Sequence, residues 1–106
     1  MFTSLAAVTG TGAGSSWRGN PSSDFSFQVI CTGSPTAVVV DVEGSLDGHT
    51  YSQVTQHTFS AGEITAGTAL FHLVQSPLAK VRLNLTTLTG GSSPTVTGLI
   101  LNKEDK

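Results

Sequence analysis

The feature that most constrains this chain is the alternation of apolar and polar residues along several short runs. In the run AKVRLNLTTL, the residues Val81, Leu83 and Leu85 alternate with polar side chains. Successive side chains of a β-strand point to opposite faces, so each such run predicts a half-buried strand. The main helix signal is Ser60-x-x-Glu63, whose capping-box spacing allows a single short turn. We therefore predict an all-β fold, an antiparallel β-sandwich of six to eight short strands.

Size and charge narrow the class of protein. The 106 residues fit one domain, only 11% of them are charged, and the formal net charge is −2. No two of the five basic residues are adjacent, so we expect no basic stripe and no nucleic-acid partner. The longest apolar run, AVVV, is far too short to span a bilayer, and we expect neither a membrane partner nor a secretory leader. Cys31 is the single cysteine, and we expect it to be buried as a small apolar residue.

Composition divides the chain into an N-terminal arm (residues 1–23), a sandwich domain (residues 24–102) and a charged C-terminal tail (residues 103–106). A short strand over residues 2–8 is compatible with the sequence, but the run TGTGAGSS that follows has little to pack. We therefore expect a flexible arm that can be removed without loss of the fold. Trp17 either folds back onto the sandwich, which we favour, or docks on a neighbouring chain. The candidate interface residues of the arm are Phe2, Trp17 and Arg18.

The stretch VEGSLDGHTY, residues 42–51, permits three interpretations: a calcium loop, a sugar-contacting loop or the turn of a hairpin. We favour the turn, because Asp47-Gly48 between two strand-like runs is a strong signal for a two-residue type I′ hairpin. The register that follows gives two facing pairs, Leu46 with His49 and Gly44 with Tyr51. In this arrangement the tyrosine ring covers a strand glycine.

Carboxylates gather around the same hairpin. Asp41, Glu43 and Asp47 form the only local acidic cluster, and two of them share a strand face from which they could flank a sugar or hold Ca²⁺. The cluster lacks the D-x-[DN]-x-[DN]-G pattern of a calcium loop, so we favour a solvated strand face. The three histidines stand at none of the spacings typical of zinc sites, and no nucleophile motif is present. We predict no catalytic residue, no metal and no cofactor, and a protein that is not an enzyme.

The hairpin VEGSLDGHTYSQV, together with the later strand LAKVRLNLTTL, resembles the discoidin-like (galactose-binding-like) β-sandwiches. The resemblance implies a jelly-roll or discoidin-like architecture, and Tyr51 stands where that family usually has Trp. The framework positions that it carries over are Glu43, Gly44, Ser45, Asp47, Gly48 and Arg82. The stretch from Asp24 to Leu101 is also similar to small structural proteins of tailed phages, some of which decorate capsids or form head fibres.

These similarities imply a non-enzymatic virion structural protein, most simply a decoration protein that binds and bridges capsid subunits on the outer head surface. We expect its partners to be the major capsid protein lattice and further copies of itself, as a homotrimer. We expect it in the virion, after synthesis in the cytoplasm of a bacterial host. The alternatives are a carbohydrate-binding module and a tail or fibre component with the same fold. The candidate contacts at the hairpin tip are Asp41, Glu43, Asp47, His49 and Tyr51.

Overall fold

The computed structural model describes residues 2–17, 24–73 and 78–102. Its elements are β1 Phe2–Val8, β2 Gly12–Ala13, β3 Phe25–Thr32, β4 Ala37–Ser45, β5 Ser52–Thr58, α1 Ala61–Ala66, β6 Thr68–Leu73, β7 Lys80–Thr89 and β8 Thr95–Asn102. The all-β prediction is confirmed, with eight strands and one short helix in the described part of the chain. That helix begins at the predicted capping box of Ser60 and Glu63. Arg18 and the predicted tail at residues 103–106 lie outside the described residues.

The strands form two four-stranded sheets with the orders β1-β8-β3-β6 and β2-β7-β4-β5. We call them the first sheet and the second sheet. Every strand pair is antiparallel. Apart from the β4–β5 hairpin, each described strand is followed along the chain by a strand of the other sheet. This eight-stranded order, which crosses repeatedly between two sheets, is a jelly roll.

The core lies between the two sheets and follows from the alternation in the sequence. In β3 every second residue is buried, and β7 repeats the pattern over its first half. The fully buried side chains include Phe27, Val29, Val40, Val42, Leu83, Leu85, Val96 and Ile100. Cys31 is buried in the same cluster, as predicted. Burial of apolar surface between the sheets is therefore the main stabilising contribution to this fold.

Residues 2–17 form part of both sheets, which corrects the prediction of a flexible arm over this segment. Strand β1 pairs with β8 from Phe2 opposite Ile100 onward, and β2 pairs with β7. Trp17 forms a further bridge, since its N–H donates to the Val81 carbonyl at 2.8 Å and its own carbonyl accepts from the Val81 N–H at 3.0 Å. The Gly/Thr/Ser-rich run shows no apolar pattern because backbone groups, more than side chains, hold it in place.

The connection between β4 and β5 is also longer than predicted. Strand β4 ends at Ser45 and β5 begins at Ser52, so six residues, 46–51, form the loop, and Gly44 lies opposite Ser52 instead of Tyr51. The non-glycine residues with positive φ in the described chain are Ala7, Ser34 and Ser93. Asp47 therefore lacks the positive φ that a type I′ turn requires at both central positions. Leu46, the first residue of this loop, is 77% exposed.

Candidate functional site

The acidic strand face predicted from the sequence exists on the outer side of the second sheet, and its carboxylates have partners within the protein. Glu43 lies opposite Arg82. Its Oε1 accepts a hydrogen bond from Arg82 Nε at 2.7 Å, and its Oε2 accepts one from Asn84 Nδ2 at 3.0 Å. Asp41 is only 8% exposed, and its Oδ1 accepts from Gln56 Nε2 at 2.7 Å. Both carboxylates therefore join neighbouring strands and do not project freely towards a ligand.

Tyr51 is held by the same network. The Cζ atom of Arg82 lies 4.0 Å from the centroid of the Tyr51 ring, which is a cation–π contact. The guanidinium thus links a carboxylate on β4 with an aromatic ring at the end of the loop. A sugar-binding platform needs an aromatic face that is open to the ligand, and here one face of the ring is already covered by Arg82.

Asp47 organises the loop from within. Its Oδ1 accepts from the Ser45 hydroxyl at 2.9 Å and from the backbone N–H groups of His49 and Thr50, each at 2.8 Å. These bonds to the charged form, led by the one from Thr50, hold the pKa of the Asp47 carboxyl far below its usual range. The side chain is a loop cap of the kind that Asp commonly provides in turns. The six-residue loop that it stabilises takes the place of the two-residue turn that the sequence predicted.

The remaining histidines take part in local pairs. His57 Nε2 lies 3.0 Å from Glu63 Oε1, and its ring stacks on Phe71 with centroids 4.7 Å apart. Hydrogen bonding from the Ser60 N–H, with a smaller contribution from His57, lowers the pKa of Glu63. His72 Nδ1 lies 3.0 Å from the Ser26 hydroxyl. Among the described residues, no group of three or more His, Cys, Asp or Glu side chains is arranged to hold a metal ion.

The two described residues of the predicted arm interface lie side by side. The rings of Phe2 and Trp17 stack with centroids 5.7 Å apart and planes 6° from parallel. Both are partly buried against the core cluster. Trp17 therefore folds back onto the sandwich, the arrangement that we favoured.

The outer face of the first sheet was missed by sequence reasoning. Around Gln28 of β3, the paired residues on either side are Leu99 of β8 and Leu70 of β6. Leu70 is 62% exposed and Leu101 is 52% exposed. The three leucines, with Ser26, Phe27 and Gln28, line a cavity of about 140 Å³. The available signal was that these leucines occupy the positions at which their strands should carry polar residues.

The two sheets also differ in charge. The strands of the first sheet, β1, β3, β6 and β8, contain no Asp, Glu, Lys or Arg. The second sheet carries four such residues within its strands, namely Asp41, Glu43, Lys80 and Arg82. One broad face of the sandwich is thus uncharged and partly apolar, and the other carries charged side chains, of which Glu43 and Arg82 form an ion pair. The uncharged face is the surface better suited to contact with another macromolecule.

No helix in the described part of the chain is long and apolar enough to cross a membrane.

Comparison with known proteins gives a fold and no family. No family model matches the chain, and no curated protein matches it. Among solved structures, the protein PirA is similar with a TM-score of 0.51 and 13% identity, over 89% of this chain and 83% of that one. The SPBc2 prophage-derived protein YomS is similar with a TM-score of 0.61 and 16% identity, over 93% of this chain and 88% of that one. At these identities the likeness shows a shared fold, and the discoidin-like family stays a prediction.

Proposed function

We propose that this protein is a non-enzymatic structural component of a phage particle, bound to the outer surface of the capsid as a decoration protein. The observation that carries the proposal is the likeness to the prophage-derived YomS, which extends over nearly the whole length of both chains. The jelly roll is also an architecture that viral capsid domains commonly use.

The chemistry of the described surface supports binding over chemical catalysis. The carboxylates on the second sheet are engaged by Arg82, Asn84 and Gln56, which leaves them as links between strands. A general acid or base needs to reach a substrate proton, and a metal ligand needs free oxygens. Both oxygens of Glu43 accept hydrogen bonds, and Asp41 is only 8% exposed, so neither carboxylate is well placed for either role. A small, charge-poor sandwich of this kind is suited to docking on a repeated lattice, where many weak contacts act together.

The carbohydrate-binding alternative has less support. It relied on an open aromatic platform at Tyr51 with Asp41, Glu43 and His49 around it. Arg82 covers one face of the tyrosine ring, and Glu43 is held by two donors. A tail or fibre component with the same fold remains an alternative location for the same kind of function. The homotrimer stays a prediction, and it concerns the protein bound to the capsid lattice.

The test is co-sedimentation of the purified chain with capsids that lack it, with tail-bearing particles as a second target. A decoration protein will bind capsids saturably, at a fixed ratio to capsid subunits, and will be displaced by an excess of unlabelled protein. An unrelated β-sandwich of similar size and net charge serves as the control for non-specific capture. Binding to tails alone would place the protein in the tail, and binding to neither particle would refute the structural role. A glycan array would then test the carbohydrate alternative.

A further inference from the structure

We infer that the outer face of the first sheet, centred on Leu70, Leu99 and Leu101, is an interface that pairs with the same face of a second copy of this chain. The inference concerns the isolated protein and does not rest on the proposed function. Four properties of the face support it: its charge, its internally paired polar groups, its cavity and its size.

The charge of the face favours a second copy as the partner. The strands β1, β3, β6 and β8 contain no Asp, Glu, Lys or Arg, and Asp24 stands before β3 begins. A contact between two identical charged patches brings like charges together, which costs free energy. An uncharged face avoids this repulsion in every orientation. Docking such a face also removes no ions from water, which would otherwise oppose binding.

The polar side chains of the face are already paired within it. The Ser26 hydroxyl lies 3.0 Å from His72 Nδ1, and the Gln28 amide donates to the Thr68 hydroxyl at 3.2 Å. A third pair, Thr32 and Thr95, joins the two hydroxyl oxygens at 2.6 Å. A buried polar group is costly when it loses its hydrogen-bond partners. Because these groups keep partners from their own chain, covering the face costs less than its polar composition suggests.

The shape of the face is suited to a two-fold contact. A two-fold contact uses the same patch on both copies, so a projecting group on one copy meets a recess on the other. Leu70 and Leu101 project, with 62% and 52% of their surface exposed, beside the cavity of about 140 Å³. An apolar cavity of about this volume, roughly 150 Å³, is large enough to take a group the size of benzene. A leucine side chain of the second copy is of the right size and polarity to enter it.

The area is adequate for a specific contact. The molecule extends over 40 × 28 × 19 Å. Two stacked sheets lie about 10 Å apart, so the shortest extent is the direction across the sandwich and the sheet faces are its broad faces. A face of this size is comparable with the roughly 800 Å² that each partner buries in a standard-size interface. We expect reversible dimers in which burial of the leucines supplies most of the affinity.

The test is sedimentation velocity of the full chain from about 1 µM to about 1 mM, a range that covers weak to moderate affinities. We expect a reversible monomer–dimer equilibrium. Leu70→Asp places one carboxylate on each side of the contact and should weaken association at least about tenfold, or about 1.4 kcal/mol. The matched control is Leu46→Asp, because Leu46 is equally large, 77% exposed and in the β4–β5 loop, away from the face. That control should dimerise like the unmodified chain.

Circular dichroism of each variant shows whether the fold is kept. If Leu70→Asp does not fold, Leu101→Ser tests the same face with a milder change and should also weaken association. A protein that stays monomeric over the whole range overturns the inference. So does a dimer that withstands the substitutions on the face, or a trimer, which requires a heterologous contact.

Discussion

The hydroxyl of Ser4 fills a gap in the hydrogen bonding of β7, and its removal is the sharpest test of how residues 2–17 are held. Ser4 is 4% exposed. Its Oγ accepts from the backbone N–H of Leu83 at 3.0 Å and donates to the Ser15 carbonyl at 2.7 Å. On the same side of β7, Gly14 N–H donates to the Leu83 carbonyl, and Trp17 bonds to Val81. The Leu83 N–H thus relies on a side chain where its neighbours use backbone groups.

Ser4→Ala removes this acceptor and leaves a buried N–H without a partner. An unsatisfied buried donor costs about 1–3 kcal/mol. The Ser15 carbonyl loses its donor too, but Ser15 is exposed and water can replace the hydroxyl there. We expect a loss of about 2 kcal/mol in the free energy of unfolding, since the contribution of the carbonyl is small. For a domain of about 100 residues this corresponds to a fall of about 8–16 °C in Tm.

The assay is urea unfolding followed by circular dichroism, together with a thermal scan of the same samples. Ser15→Ala is the matched control: it makes the same chemical change at an exposed hydroxyl eleven positions along the chain and should alter the free energy by less than about 0.5 kcal/mol. A Ser4→Ala loss as small as that of the control would refute the reasoning. It would mean that residues 2–17 are a detachable arm, as composition alone suggests. Deletion of residues 1–16 should unfold the protein if the docked arrangement is correct.

Two further predictions concern packing and pH. Gly98→Ala should cost about 1–3 kcal/mol, because the added Cβ would lie 2.6 Å from Leu83 Cδ1, whereas Gly10→Ala, with nothing within 4 Å, should be nearly neutral in the same urea assay. The folded-state pKa of Asp47 lies below its unfolded value, so its stabilisation is present above about pH 4 and is lost as the pH falls further. Asp47→Asn should therefore flatten the fall in Tm between about pH 5 and pH 2, and an unchanged pH profile would exclude a role for the charge.

Local signals in the sequence were sufficient for much of the fold. The alternation in β3 and β7 predicted which residues are buried, because two-residue periodicity depends only on the geometry of a strand. The capping box at Ser60 was equally local, since both of its hydrogen bonds join residues three apart. Strand β1 and the bridge at Trp17 were harder to predict. Strand β1 pairs with β8 across nearly a hundred positions, and Trp17 bridges to Val81 across more than sixty. Backbone groups of any sequence can form such pairs.

The hairpin shows how a side chain can override a turn signal. Asp47-Gly48 favours a two-residue turn when only the backbone is considered. The Asp47 carboxylate instead accepts three hydrogen bonds from its neighbours, and these stabilise a wider loop. Of the three predicted carboxylates, Asp41 and Glu43 lie on β4 and Asp47 lies in the loop that follows. Their roles could not be derived from spacing, because the partners Arg82 and Asn84 are about forty residues away on another strand.

The same limit explains why the uncharged face was not foreseen. Alternation shows which residues of one strand share a face, and it does not show which strands share a sheet. The absence of charge in β1, β3, β6 and β8 acquires meaning only when the topology places these four strands side by side. Leu70 and Leu101 then change from isolated exceptions to neighbours on one surface. If that surface binds a second copy, substitutions there will weaken assembly and leave the free energy of unfolding nearly unchanged. Substitutions at Ser4 or Gly98 will instead lower the free energy of unfolding and leave the association of the folded protein unchanged.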